Sequence, residues 1–221
     1  ILSKNMEQMI QQITRIYKVA IVSGRMREDV ENLVGIKNLF YAGSHGFDIK
    51  GPGNFNMIHP LAEKTIPLIN NIIHQLKNLL KDIPNTLIEE KKFSVAVHYR
   101  KVKHQQKIDE IYQIIQKLIQ KHKELKLLPG KKVYEIMPNI DWDKGRAVRW
   151  IMDALNLSWQ SASVFYLGDD TTDEYAFRTI NSRGTTLLVS NQYNQPSSAD
   201  FKLQSPEEVK QFFEQIISIV D

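Results

Sequence analysis

Short apolar runs constrain this 221-residue chain more than any other feature. Val19–Val22 (VAIV), Leu39–Ala42 (LFYA), Val164–Leu167 (VFYL) and Thr185–Val189 (TTLLV) are each only four or five residues long. Continuous runs of that length fit strands of a parallel sheet, where both faces are covered by helices. Helix-spaced stretches separate them. Leu2, Met6, Met9, Ile10, Ile13 and Ile16 predict a helix from Leu2 to Tyr17, and further helices are predicted at Glu28–Val34, Asp143–Leu155 and up to Ile180. Ser205-Pro206-Glu207-Glu208 opens a last helix, with Ser as cap, Pro at the first helical position and Glu reaching back. Strand-helix alternation of this kind predicts a doubly wound, Rossmann-like α/β domain.

The alternation is interrupted once. Ile49–Pro60 (IKGPGNFNMIHP) reads as a Gly/Pro/Asn-rich connector. After it come a helix from Ala62 to Leu80, strands near Asn85–Glu89 and Phe93–Tyr99, a helix from Gln105 to His122, and two strands flanking Pro129–Lys132. Helix-strand-strand-helix-strand-strand predicts a small antiparallel sheet with two helices on one face. The expected organisation is therefore a core domain of residues 1–54 and 138–221, with an inserted α+β module at 55–137.

Composition narrows the function classes. The net charge of +4 comes from Lys residues dispersed along the chain, which is the pattern of solvated helix faces and gives no nucleic-acid surface. Cys is absent, which removes disulfides and thiolate chemistry and fits a reducing, cytoplasmic setting. No apolar run has membrane-spanning length, and the first residues read neither as a signal peptide nor as an initiator start.

In a doubly wound sheet, ligands bind at the carboxyl ends of the strands. Val22 delivers Ser23 and Gly24, Ala42 delivers Ser44 and His45, and Leu167 delivers Asp169, Asp170, Asp173 and Glu174, while Lys144 opens a helix at the same edge. A hydroxyl and an ammonium can hold a phosphoryl group, and crowded carboxylates are hard oxygen ligands suited to Mg²⁺. Taken singly, each feature has a plain structural reading: a turn, a solvated lysine, a helix cap.

Ser23-Gly24-Arg25, Lys144 and Gly168-Asp169-Asp170 with Asp173 resemble the second, third and fourth motifs of the haloacid dehalogenase superfamily. More narrowly, AIVSGR, FYAGSHGFDIKGPG, KKFSVAVHYR, DWDKGRAV and FYLGDDTTDE are similar to the trehalose-6-phosphate phosphatases. The resemblance implies a haloacid-dehalogenase-like core with a cap domain, and Mg²⁺-dependent hydrolysis of a small sugar phosphate, trehalose 6-phosphate, to trehalose and phosphate through an aspartyl-phosphate. It implies Ser23, Lys144 and Asp173 as catalytic-site residues and Asp169 and Asp170 as the metal site. His45, Lys131, Glu135, Arg25 and Glu174 would bind substrate, with a turn histidine, a cross-strand pair and salt bridges as the alternatives for His45, for Lys131 with Glu135, and for Arg25 and Arg100. Association with a trehalose-6-phosphate synthase domain is the partner the resemblance suggests.

One motif is absent. The family's Asp-x-Asp-Gly-Thr loop, which carries the nucleophile, has no counterpart in residues 1–221, and is expected upstream of Ile1. Residues 1–221 alone are accordingly expected to be inactive. A catalytically inactive sugar-phosphate-binding or regulatory domain, or another sugar phosphatase of the superfamily, are the competing readings.

Overall fold

The computed structural model describes residues 2–220. The chain divides into two compact units, residues 1–57 with 142–221, and residues 58–141.

The first unit contains two small sheets. One runs in the order β1 (Ala20–Val22), β2 (Phe40–Gly43), β3 (Asp48–Lys50), β4 (Asn56–Ile58). The β1–β2 pair is parallel and the β2–β3 pair antiparallel. The segment 49–60 is therefore not plain connector. Ile49 is buried against Ala42, which draws the chain into the sheet, and irregular backbone is left to the turn at Gly51–Phe55, where Gly53 has φ +65°, and to His59. The other sheet is parallel, with β10 (Thr185–Val189) between β9 (Phe165–Gly168) and β11 (Phe201–Leu203). Among the described residues β1 and β9 are each an edge strand.

Helices cover both faces. α1 (Lys4–Ile13) and α2 (Arg27–Val34) bury Ile10 and Val30 with Leu39 and Tyr41. α8 (Pro206–Val220) lies against α1 and carries Phe212 to Phe165. On the opposite face α6 (Lys144–Ala154) packs Ala147 and Ile151 on Ala42 and Ile49, and α7 (Asp173–Ile180) packs Phe177 on Tyr166. Val22 of β1 touches the clusters under both helices, and Tyr17 meets the Phe165 ring edge-on at 6.1 Å, so the two sheets share one core. α1 ends four residues before its predicted limit, at Ile13, where the Thr14 hydroxyl donates to the Gln11 carbonyl. The α8 start follows the predicted cap in part: the Ser205 hydroxyl accepts from the Glu208 N–H, and Glu208 reaches back to the N–H of Gln204.

In the second unit, the expected single helix at 62–80 is two: α3 (Pro60–Lys64) and α4 (Ile66–Leu79). Pro67 lacks the N–H that would continue the ladder, so the break falls at Thr65. The sheet runs β5 (Leu87–Glu90), β6 (Val95–His98), β8 (Val133–Pro138), β7 (Leu125–Gly130), antiparallel throughout. α4 and α5 (Gln105–Lys121) cover one face, burying Ile69, Ile72, Ile111 and Ile115 against Val95, Val97 and Ile136. The alternate positions, Glu89, Ala96, His98, Val133 and Glu135, share the other face. No helix among the described residues is long and apolar enough to cross a membrane.

Candidate active site

Asp143 starts the construction of the first unit's site. Its side chain accepts the N–H of Arg146 and caps α6, which places Lys144 in the first turn. Gly46 lies against Ala147 on one side of that helix, and Gly145 lies against Tyr175 and Thr179 of α7 on the other. Both approaches are too close for a Cβ. α6 therefore brings the turn after β2 and the start of α7 to its own amino end.

There the Lys144 ammonium donates to Asp173 Oδ1 at 2.8 Å, with both side chains about 6% exposed. The Tyr166 hydroxyl donates to the same oxygen at 2.8 Å. Asp173 Oδ2 accepts the N–H groups of Asp169 at 3.1 Å and Asp170 at 2.9 Å. The carboxylate thus closes the β9–α7 loop from inside, packed directly on Gly168. Burial, and then the nearby Asp173 carboxylate, push the Tyr166 phenol far up, so it stays a protonated donor.

The acidic loop separates into different roles. Asp170 folds back on its own turn, accepting from the Thr171 N–H at 2.6 Å and the Thr171 hydroxyl at 3.2 Å. Asp169 is exposed and, among the described residues, its carboxylate accepts no hydrogen bond. Among the described residues no three His, Asp or Glu side chains gather as a metal-binding group. Mg²⁺ is commonly held by one or two carboxylates, completed by water and substrate phosphate. Asp169 fits that demand as a single anchor. Glu174 turns elsewhere: its two oxygens accept from the Ser197 hydroxyl at 2.6 Å and the Ser198 N–H at 2.8 Å, tying down the loop between β10 and β11. Burial pushes the Glu174 carboxyl up, but those hydrogen bonds and Arg178 outweigh it and hold it below its usual range.

The turns after β1 and β2 interlock. The Ser23 N–H donates to Ala42 O at 2.8 Å, the His45 N–H to Ser23 O at 2.9 Å and the Ser44 N–H to Arg25 O at 2.6 Å. The Ser23 hydroxyl accepts the Arg25 N–H at 3.2 Å, and the Arg25 side chain is exposed. Ser44 and His45 are buried with φ of +50° and +59°, a left-handed conformation that costs non-glycine residues roughly 1–3 kcal/mol each. The His45 ring is pressed on Gly24, where a Cβ would come within 2.7 Å of its Cε1.

The second unit holds a separate polar group. Glu135 Oε1 accepts from Lys91 Nζ at 2.9 Å and from the Ser94 hydroxyl at 2.6 Å. Sequence reading singled out Glu135 but not Lys91 or Ser94, which lie 44 and 41 residues away within the KKFSVAVHYR stretch, where nothing marks them as partners of Glu135. Lys131 is not brought to Glu135. It sits exposed in the β7–β8 turn, where its carbonyl accepts from Arg100 at 3.3 Å. Tyr166 was missed for another reason: within an apolar run a tyrosine reads as core, and only its contact with Asp173 gives it a role.

A trehalose-phosphatase family model matches residues 1–207. A probable trehalose-phosphate phosphatase E of Arabidopsis thaliana is 36% identical over 98% of this chain and 64% of its own length. A probable trehalose-phosphate phosphatase 4 of Oryza sativa is 34% identical over 98% of this chain and 60% of its length. The chain thus spans somewhat under two thirds of these relatives. Among solved structures, the C-terminal domain of Candida albicans trehalose-6-phosphate phosphatase aligns with a TM-score of 0.80 at 19% identity, covering all of this chain and 86% of that one. A trehalose-6-phosphate phosphatase related protein aligns at 0.82 and 18% identity, covering 99% and 88%. At those identities the likeness speaks for the haloacid-dehalogenase-like fold.

Proposed function

We propose, because this chain belongs to the trehalose-phosphatase family, that it is the phosphatase part of an enzyme hydrolysing trehalose 6-phosphate to trehalose and phosphate. The carrying observation is the buried Lys144–Asp173 pair beside the exposed Asp169, at the edge where the Ser23 turn also ends. Lys144 would neutralise phosphoryl charge, and the Ser23 hydroxyl would donate to a phosphoryl oxygen. Asp173 would hold Lys144 and the Asp169–Asp170 backbone in place. Asp169 would hold Mg²⁺, which when bound supplies positive charge to the transferring phosphoryl group.

The resemblance assigns the nucleophile to an Asp-x-Asp-Gly-Thr loop that residues 1–221 do not contain. Asp173 is saturated by four donors, Asp170 is engaged by its own turn, and Asp169 is the carboxylate left for the cation. The second unit would act as the cap that reads the sugar, with Glu135 held by Lys91 and Ser94 as its polar anchor. His45 is the substrate-edge residue in the first unit, its strained backbone being the reason to place it there. Substrate roles for Lys131, Arg25 and Glu174 have less support, since two are exposed and Glu174 is committed to a loop. A synthase domain remains the partner this reading favours.

The test is phosphate release from trehalose 6-phosphate by the full-length protein with Mg²⁺, against residues 1–221 and against sucrose and glucose phosphates. Turnover by the full-length protein alone, selective for trehalose 6-phosphate, is expected. Asp169→Asn should abolish it and Asp170→Asn should reduce it less. Tight sugar-phosphate binding without turnover by the full-length protein would favour the inactive regulatory reading.

A further inference from the structure

Tyr166 is a buried titratable group for which the site above has no task. It is 8% exposed, on β9, with its ring held edge-on by Phe177 at 5.8 Å. Its hydroxyl has one geometric consequence. Asp173 Oδ1 is shared between two donors, the phenol and the Lys144 ammonium, both at 2.8 Å, while Oδ2 is occupied by two backbone N–H groups. The carboxylate is fully engaged, so it can neither rotate nor take a second N–H from Lys144. One ammonium proton is spent on Asp173, and two remain.

We propose that Tyr166 is a positioning residue that acts through Asp173 on Lys144, keeping the ammonium from collapsing onto the carboxylate and so available to a phosphoryl oxygen. This rests on the phosphate-binding reading of Lys144. Without the phenol, Oδ1 would have a lone pair to spare and a less shared charge. The carboxylate would be free to turn toward Lys144 and draw the ammonium in. Charge-assisted hydrogen bonds of this kind are short and strong, so the ammonium would yield less of itself to an incoming anion.

Two readouts on the 221-residue chain separate the outcomes. The first is the Lys144 ammonium signal in a ¹H–¹⁵N spectrum, and the second is the affinity for inorganic phosphate by calorimetry. Tyr166→Phe is expected to move the Lys144 signal and weaken phosphate about tenfold, the loss of roughly one hydrogen bond's worth of affinity. In a Lys144→Met background the same change is expected to leave phosphate affinity unaltered, as coupling through Lys144 requires. A fluorinated tyrosine at position 166, which keeps the shape and the donor, should restore both readouts even if Tyr166→Phe folds poorly. Ile180→Val serves as a packing control that lowers stability without moving either. An unmoved Lys144 signal, or an equal loss of phosphate affinity with and without Lys144, would overturn the proposal. A moved signal with no phosphate binding in the unaltered chain would overturn the phosphate-binding reading of Lys144 and with it the proposed task of Tyr166, leaving only the structural coupling through Asp173.

Discussion

Asp173 accepts four hydrogen bonds, and its worth to the fold follows from what each donor would do without it. Lys144 is 5% exposed and has this carboxylate as its counter-charge. Asp173→Asn keeps the size but places an amide among donors and leaves a buried ammonium uncompensated. Breaking one side of a buried pair costs about 3–5 kcal/mol. Denaturant unfolding should show a loss of that order, and Lys144→Met added to it should recover part. A loss below about 1 kcal/mol would mean that water reaches the pair. Gly24 provides a second test at this scale. A Cβ there would meet the His45 ring, which is fixed by left-handed backbone at Ser44 and His45 and cannot simply retreat. Gly24→Ala should therefore cost about 1–3 kcal/mol by overpacking. If His45 touches substrate, KM should also rise while a small aryl phosphate is used as before; equal effects on both substrates would assign His45 to the turn alone.

Elements, rather than residues, decide where the loop from Ser190 to Asp200 lies. α7 supplies Glu174, and Glu174 holds Ser197 and Ser198. Its folded carboxyl is held below the usual range, so the stabilisation is present above the unfolded carboxyl's titration, near pH 4.3, and is lost as pH falls through the lower folded value. The protection factor of the Ser198 amide, corrected for the intrinsic pH dependence of exchange, should be high at neutral pH and fall on acidification, and Glu174→Gln should weaken protection already at neutral pH. Protection independent of pH would show that the loop is held by other contacts. The alternation of β9, α7 and β10 was readable because buried parallel strands leave continuous apolar runs. β11 was not: it is three residues long, at an edge, with Phe201 62% exposed, so it has neither periodicity nor burial to betray it. β3 and β4 were hidden by the Gly and Pro of the turn between them. The strand-end positions of Ser23 and Asp169 and the helix-start position of Lys144 followed from chain order, whereas the Lys91–Glu135 and Tyr166–Asp173 pairings depend on side-chain packing that chain order does not encode.

At the scale of the whole molecule the two units differ in charge. Residues 58–141 carry fifteen Lys and Arg against nine Asp and Glu, while the remainder carries fourteen against sixteen. The net +4 of the chain is thus an excess on the second unit over a slightly acidic first unit. Part of that excess is gathered at one end of the second sheet. The Tyr99 N–H donates to the Lys132 carbonyl and Arg100 to that of Lys131, which sets the turn carrying Lys101 and Lys103 beside the β7–β8 turn. All five cationic side chains are exposed. A cluster of like charge raises the local concentration of anionic ligands and speeds their encounter. Its reach is a Debye length, about 10 Å at 0.1 M salt and 3 Å at 1 M. On the proposed phosphatase reading, kcat/KM of the full-length protein toward trehalose 6-phosphate should fall severalfold between low and high salt, with kcat nearly constant because encounter and not chemistry is affected. Lys101→Glu, Lys103→Glu and Lys132→Glu together should lower kcat/KM at low salt and flatten its salt dependence, again leaving kcat in place. These residues touch none of the buried pairs described above, so melting temperature should hold as a control. If the triple variant keeps the full salt dependence, the attraction comes from the phosphate-binding groups themselves and the basic end of the second unit has no part in capture.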